Sequence, residues 1–126
     1  LASGEAPIGL FWNGRLYALE AEGAPVGISW DHNITAADAL VVPRGTKNKE
    51  AAMRYIAEAT SARAQADFAA ASAYAPINLE SPDLMEASIR DSLPDAQTAV
   101  QVNADLAYWA EHREEIGTRW YAWKAR

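Results

Sequence analysis

Apolar residues form three short runs in the first third of the chain, at residues 7–12, 25–30 and 39–42. Each run is bounded by Gly, Pro or Asn, and the middle run alternates large apolar residues with small ones. Short apolar runs between turn-forming residues predict buried strands. Between the first two runs, residues 15–22 have helical spacing, and Gly23 follows as a C-cap. This succession of strand, helix, strand and strand predicts an α/β fold.

The second part of the chain has a helical pattern. Thr46 or Asn48 is expected to cap a helix that ends near residue 60, and Ser61 to cap a second helix that ends near residue 73. Residues 81–83, Ser-Pro-Asp, predict the start of a third helix that ends near residue 90. The inward side chains predicted for the first two helices are Ala52, Tyr55, Ile56, Ala59, Ala64, Phe68 and Ala71.

The last predicted helix runs from about residue 103 to residue 126 and carries three of the five tryptophans. Its apolar residues recur at ~100° per residue, which places them on one side of the helix. We expect this stripe to anchor the helix on the body of the protein, and a tryptophan-lined ligand site is the alternative. The residues of the stripe are Leu106, Trp109, Ile116, Trp120 and Trp123.

The composition is that of one globular domain. Of the 126 residues, 50% are hydrophobic and 22% are charged, as in folded domains of this length. The net charge of −6 disfavours nucleic acid and anionic membranes as partners, because both attract a basic face.

The chain has no cysteine, which excludes disulfides and thiolate chemistry. It also has no membrane-spanning run, leader pattern or initiator Met, so a processed or partial chain is expected.

The sequence contains no recognisable set of catalytic residues. His32 and His112 are the only histidines, and neither has a second ligand at metal-binding spacing. No nucleophile elbow or phosphate-binding glycine loop occurs. We therefore expect no metal, no cofactor and no catalysis. An enzyme fragment whose other catalytic residues lie elsewhere, with His32 or Asp38 taking part, is a less favoured alternative.

Aromatic and acidic side chains do stand at the ends of the predicted strands. Trp12 and Trp30 end the first two strands, and Asp38 directly precedes the third. Strand ends in α/β sheets open into crevices that bind ligands. Such a set could hold a cationic amine by ring-face attraction and a charge-assisted hydrogen bond. The alternatives are a solvated Asp38 in a loop and tryptophans that belong to the core.

Five segments in this order resemble the C-terminal part of bacterial extracellular solute-binding proteins, in particular the spermidine/putrescine-binding branch of ABC importers. They are GEAPIGLFWNGR, GAPVGISW, DALVVPRGTKNKEAAMRYI, ASAYAPIN and LAYWAEHREEIGTRWYAWKA. The resemblance implies a type II periplasmic-binding-protein-like fold with two α/β lobes, of which this chain is a partial, C-terminal segment. It assigns residues of about 1–36 and 80–126 to one lobe, and about 37–79 to the crossover and the other lobe.

The resemblance also implies roles for individual residues. Asp38 would pair with an ammonium group of the ligand, and Trp12 and Tyr74 would lie on the cleft side. Asp105 would stand near a position at which family members make a polar contact. Polyamine-binding members carry an aromatic residue where this chain has Ala36. The missing ring favours a shorter amine, or an amino compound such as 4-aminobutyrate, over putrescine or spermidine.

Family members are periplasmic, non-catalytic and dock onto a membrane permease, so these properties are expected here. A non-catalytic structural or protein-interaction module, anchored by the Trp-rich last helix, is the alternative function. A chain that contains only parts of both lobes would lack central strands of each sheet. It would therefore expose sheet edges and apolar surface. We therefore predict that the chain packs against a segment outside it or associates with other copies.

Overall fold

The computed structural model describes all residues from Leu1 to Arg126. The chain folds into five α-helices, two short strands and two 3-10 helices. The α-helices are α1 (Asn13–Ala21), α2 (Lys49–Ala59), α3 (Ala62–Ser72), α4 (Ala87–Arg90) and α5 (Leu106–Lys124). The strands are β1 (Ile34–Thr35) and β2 (Val102–Asn103), and the 3-10 helices are Ser81–Leu84 and Pro94–Val100. None of the helices is long and apolar enough to cross a membrane.

The predicted starts of α2 and α3 are confirmed. Asn48 is the residue that precedes α2, and its backbone N–H donates to Oγ1 of Thr46 at 3.2 Å. Oγ of Ser61 accepts a hydrogen bond from the backbone N–H of Ala64 at 3.3 Å, which is the N-cap bond expected of serine. The local sequence therefore determines where both helices begin.

The predicted inward face is largely confirmed for α2 and is wrong for α3, where Phe68 and Ala71 are exposed. The most buried residues of α3 are Ala66 and Ala69, and Phe68 leaves 54% of its surface exposed. Ala69 instead packs with Ala73 and Leu93 in the one buried cluster, and α3 also contacts the 3-10 helix Ser81–Leu84. In α2 the half-buried residues are Ala52, Ile56 and Ala59, as predicted, whereas Tyr55 is exposed and no residue of the helix is fully buried.

The three predicted strands at residues 7–12, 25–30 and 39–42 do not form strands in the structure. The one sheet pairs β1 with β2 in parallel, with Ile34 opposite Val102. A strand requires a neighbour for its backbone hydrogen bonds, and no backbone hydrogen bond joins any of the three runs to a strand partner. The prediction of buried strands is therefore wrong for this chain, because pairing depends on a partner that the local pattern does not contain.

The predicted third helix is interrupted. Met85 is extended, with φ −108° and ψ 151°, and it separates the 3-10 helix Ser81–Leu84 from α4. Ser81 is buried, and its Oγ donates to the backbone carbonyl of Ala62 at 2.9 Å instead of capping its own helix. A tertiary hydrogen bond to the start of α3 thus replaces the expected local cap.

The prediction that the tryptophan stripe anchors α5 is also wrong for this chain. No residue of α5 is buried, and Trp109, Trp120 and Trp123 are all exposed. The rings of Trp120 and Trp123 contact each other, with centroids 5.0 Å apart, rather than a second element. The helix forms where its periodicity predicts it, but no other part of this chain covers its apolar side.

The core of the chain is small. Six of its 126 residues are buried, and Ala69, Ala73 and Leu93 form the one buried cluster, with Met85 against it. The accessible surface is 10315 Å². A compact monomer of 13.7 kDa exposes about 6,600 Å². The chain therefore has the helices of a folded domain, but its solvent-accessible surface is far larger than that of a compact domain of the same mass.

Candidate ligand-binding site

The start of α1 is joined to the end of α3 by a close backbone contact. The side-chain amide of Asn13 donates a hydrogen bond to the carbonyl of Ala73, which follows α3 in the left-handed conformation at φ 59°. At Gly14 an added Cβ would lie 2.6 Å from the carbonyl oxygen of Ser72 and 2.8 Å from Cζ of Tyr74. Only glycine fits so close an approach. We call this contact the α1/α3 junction.

Two of the predicted site residues flank the α1/α3 junction. Trp12 directly precedes Asn13, and Tyr74 directly follows Ala73. Trp12 leaves 68% of its surface exposed, whereas Tyr74 is half-buried and stacks on Phe68 with ring centroids 6.3 Å apart. The fold thus brings to one place two aromatic residues that are far apart in the sequence.

The two predicted acids lie past the same edge of the sheet. Because β1 and β2 are parallel, their carboxyl ends point the same way. Asp38 follows three residues after Thr35, and Asp105 follows two residues after Asn103. Ligands of open α/β sheets bind outside the carboxyl ends of the strands. Both acids therefore follow the carboxyl ends of the two strands, and we call this side of the sheet the acid edge.

The two acids differ in their hydrogen bonds. Asp38 is exposed and takes part in no hydrogen bond or ion pair within the chain. Oδ1 of Asp105 accepts from the backbone N–H of Tyr108 at 2.9 Å and so caps α5. Asp38 is free to bind a ligand cation, whereas Asp105 already has a structural role.

A polar network that sequence reasoning missed ties Trp30 to the sheet. The side-chain amide of Asn33 donates to the carbonyl of Trp30 at 2.9 Å. The side-chain amide of Gln101 donates to Oγ1 of Thr35 and approaches Oδ1 of Asn33 at 3.5 Å. Gln101 and Asn33 are 68 positions apart, so no local pattern could have connected them.

His32, beside this network, adopts the left-handed conformation at φ 56°. Its Nδ1 lies 3.7 Å from Oδ1 of Asp31, and Nδ1 of His112 lies 3.9 Å from Oε2 of Glu115. All four side chains are largely solvent-accessible. No three His, Cys, Asp or Glu residues are grouped so that they could hold a metal ion.

The predicted site residues thus fall into two groups. Trp12 and Tyr74 flank the α1/α3 junction, and Asp38, Asp105 and Trp30 lie near the sheet. No hydrogen bond, ion pair or ring contact joins the two groups. Exposed aromatic rings and acids at the carboxyl ends of parallel strands are features of an α/β protein that binds small molecules.

The chain belongs to the bacterial extracellular solute-binding proteins, whose family model matches residues 1–109. It is 30% identical to the gamma-aminobutyric acid-binding protein of Pseudomonas aeruginosa over 128 aligned positions, which cover 100% of this chain and 36% of that protein. A solved structure of the Atu4243-GABA receptor is 65% identical and superposes with a TM-score of 0.87. That match covers 99% of this chain and 39% of the other.

These similarities confirm the predicted family and fold. The chain spans little more than a third of the length of either relative. It therefore corresponds to a partial segment of a solute-binding protein.

Proposed function

We propose that this chain is part of the solute-binding component of an ABC importer, and that the protein captures a small amino compound of the 4-aminobutyrate class. The observation that carries the proposal is the agreement of two relatives, both named for gamma-aminobutyric acid, which match essentially the whole chain. The ligand would lie in a cleft between two lobes. The pairing of Ile34 with Val102 is compatible with placing residues 1–36 and 80–126 in one of them.

Asp38 is the residue proposed to bind the ammonium group. Some other acids of the chain are already paired, as Asp67 is with Arg63 at 2.9 Å and Asp91 with Arg90 at 3.3 Å. Asp38 has no such partner, so its carboxylate can accept from a ligand N–H without breaking an internal bond. A hydrogen bond between charged groups contributes about 1.5–3 kcal/mol.

Trp12 and Tyr74 are proposed to form an aromatic wall of the same cleft. Trp12 is exposed, so its indole face is open to a ligand. The stacking of Tyr74 on Phe68 orients the phenol ring without a ligand. A cation over such a face gains roughly 0.5–2 kcal/mol.

The length of the ligand follows from the number of charged and aromatic contacts. A polyamine carries two or more ammonium groups, and each needs an acid or a ring. Ala36 offers only a methyl group next to Asp38, and Asp105 has one oxygen engaged in the cap of α5. The proposed contacts of this chain, the acid Asp38 and the rings of Trp12 and Tyr74, suit a ligand with a single ammonium group, such as 4-aminobutyrate.

We further propose that the protein is periplasmic, performs no catalysis and delivers its ligand to a membrane permease. These properties follow from membership of the solute-binding family. The alternative, an interaction module built on α5, accounts for the exposed tryptophans of that helix. It does not account for two relatives that contain the same segment and are named for a small ligand.

Calorimetric titration of the full-length protein tests the proposal. We expect saturable binding of 4-aminobutyrate that is at least tenfold tighter than binding of putrescine or spermidine. Tighter binding of a polyamine would reject the ligand class, and binding of none of the three would leave the interaction module as the better account.

A further inference from the structure

The side chain of Gln101 begins a series of hydrogen bonds that ends at Trp30. Its amide N–H donates to Oγ1 of Thr35, and the hydroxyl of Thr35 donates to Oδ1 of Asn33 at 3.4 Å. The side-chain amide of Asn33 then donates to the carbonyl of Trp30 at 2.9 Å. All four residues are half-buried. Consecutive hydrogen bonds polarise one another, so the loss of one link weakens the others.

The backbone joins the same two segments by few hydrogen bonds. The N–H of Val102 donates to the carbonyl of Asn33, and the N–H of Ala104 donates to the carbonyl of Thr35, each at 2.8 Å. Both strands are only two residues long, and a two-stranded sheet is marginal by itself. Gln101 supplies the only side-chain hydrogen bonds between the two segments, so it contributes a large share of what holds β1 in place.

Thr35 is the last residue before Asp38 that hydrogen bonds hold within this chain. Residues 36–38 lie outside every helix and strand and take part in no backbone hydrogen bond. The position of the Asp38 carboxylate therefore depends on the direction in which the backbone leaves Thr35. Three residues span at most about 10 Å, so a rotation of about 20° at Thr35 can displace Asp38 by about 3 Å. A ligand-binding group has to be held within about 0.5 Å.

We propose that Gln101 is a positioning residue of the ligand site, which holds Thr35 and Asn33 and thereby directs the segment that carries Asp38. The inference rests on the proposed function, in which Asp38 binds the ammonium group of the ligand. Gln101 is uncharged and lies before β2, so its effect on affinity is transmitted through Asp38 and not by a charge of its own.

Calorimetric titration of the full-length protein with 4-aminobutyrate tests this role. Gln101→Met keeps the length of the side chain and removes its amide, and it should weaken binding about tenfold, as expected for the loss of one hydrogen bond. Because Gln101 acts through Asp38, adding Gln101→Met to Asp38→Asn should weaken binding by no more than about twofold further.

Gln97→Met is the matched control for this substitution. Gln97 is also half-buried, and its side-chain amide donates to a backbone carbonyl outside the sheet, that of Asp91 at 3.3 Å. The variant loses a comparable hydrogen bond and should retain wild-type affinity.

Two substitutions of Thr35 test the same hydrogen bond from its other side, including the case in which Gln101→Met does not fold. Thr35→Val replaces the hydroxyl by a methyl group of similar size and should weaken binding as Gln101→Met does. Thr35→Ser keeps the hydroxyl and should retain most of the affinity. Equal losses for the two variants would assign the effect to packing and overturn the role of the hydrogen bond.

The remaining outcomes separate this inference from the proposed function. Wild-type affinity in Gln101→Met and Thr35→Val would overturn the positioning role and leave the proposed function intact. A full tenfold loss on top of Asp38→Asn would also overturn it, because independent effects add in free energy. If the wild-type protein did not bind 4-aminobutyrate, the proposed function would be rejected and this inference with it.

Discussion

The side-chain amide of Asn13 donates a hydrogen bond to the backbone carbonyl of Ala73. This bond spans 60 positions of sequence and connects the first residue of α1 to the residue that ends α3. It brings Trp12 and Tyr74, the two aromatic residues proposed for the ligand cleft, to the same junction. The position of both proposed cleft residues therefore depends on a polar contact that involves neither aromatic ring.

The close approach at the α1/α3 junction predicts that Gly14 cannot be replaced. Gly14→Ala should lower the free energy of unfolding of the full-length protein by about 1–3 kcal/mol, because its Cβ would overlap the carbonyl of Ser72. Gly117→Ala is the control, since nothing lies within 4 Å of an added Cβ in the middle of α5. There alanine should raise the free energy of unfolding by about 0.5–1 kcal/mol. Urea titration measures both, and equal effects would contradict the close approach.

Asp38 is expected to determine ligand affinity without affecting stability. Asp38→Asn keeps the shape of the side chain but removes its charge, so affinity for 4-aminobutyrate should fall about tenfold to a hundredfold, that is about 1.5–3 kcal/mol. Asp83→Asn is the matched control, because Asp83 is also exposed and forms no ion pair. Titration calorimetry of both variants measures the difference. Unchanged affinity in Asp38→Asn would remove this residue from the site.

Two substitutions separate the structural and ligand roles of Asp105. Asp105→Ala removes the cap of α5 and should cost about 0.5–2 kcal/mol of stability. Asp105→Ser keeps a capping oxygen and should retain most of that stability. If the carboxylate also contacts the ligand, Asp105→Ser will weaken 4-aminobutyrate binding at nearly unchanged Tm. Wild-type affinity in this variant would restrict Asp105 to the cap.

Leu93 should be the most sensitive apolar residue of the small core. It is fully buried against Ala69 and Ala73, so Leu93→Ala should cost about 2–5 kcal/mol. Leu93→Met, which conserves volume, should cost less than about 1.5 kcal/mol. Urea unfolding of the full-length protein measures both, and a small loss for alanine would show that this cluster is not a core in the complete protein.

The left-handed conformation of His32 predicts opposite effects for one substitution at two positions. His32→Gly should stabilise the protein by about 1 kcal/mol, because glycine adopts φ 56° without a Cβ penalty. His112→Gly, in the middle of α5, should destabilise it by about 1 kcal/mol. Thermal unfolding of the two variants provides the test. A loss of stability for His32→Gly would mean that the imidazole makes contacts worth more than the backbone strain.

The sequence by itself determined the local features of this protein. Capping residues such as Ser61 predicted the helix starts. The hydroxyl oxygen of Ser61 accepts from the backbone N–H of Ala64, and this bond needs only residues that are close in the sequence. The order of motifs predicted the solute-binding family, which the family match confirmed. Trp12, Tyr74 and Asp38 remain predicted site residues, and the structure adds where each of them lies.

Only the tertiary structure decided which faces are buried, which strands pair and which residues meet. Phe68 was predicted to face inward, yet the small residue Ala69 does so, because Leu93, which is distant in the sequence, packs against it. Asn33 and Gln101 meet through β1 and β2, which no local pattern indicates. Periodicity indicates what a segment can bury, whereas burial and pairing depend on partners that are distant in the sequence.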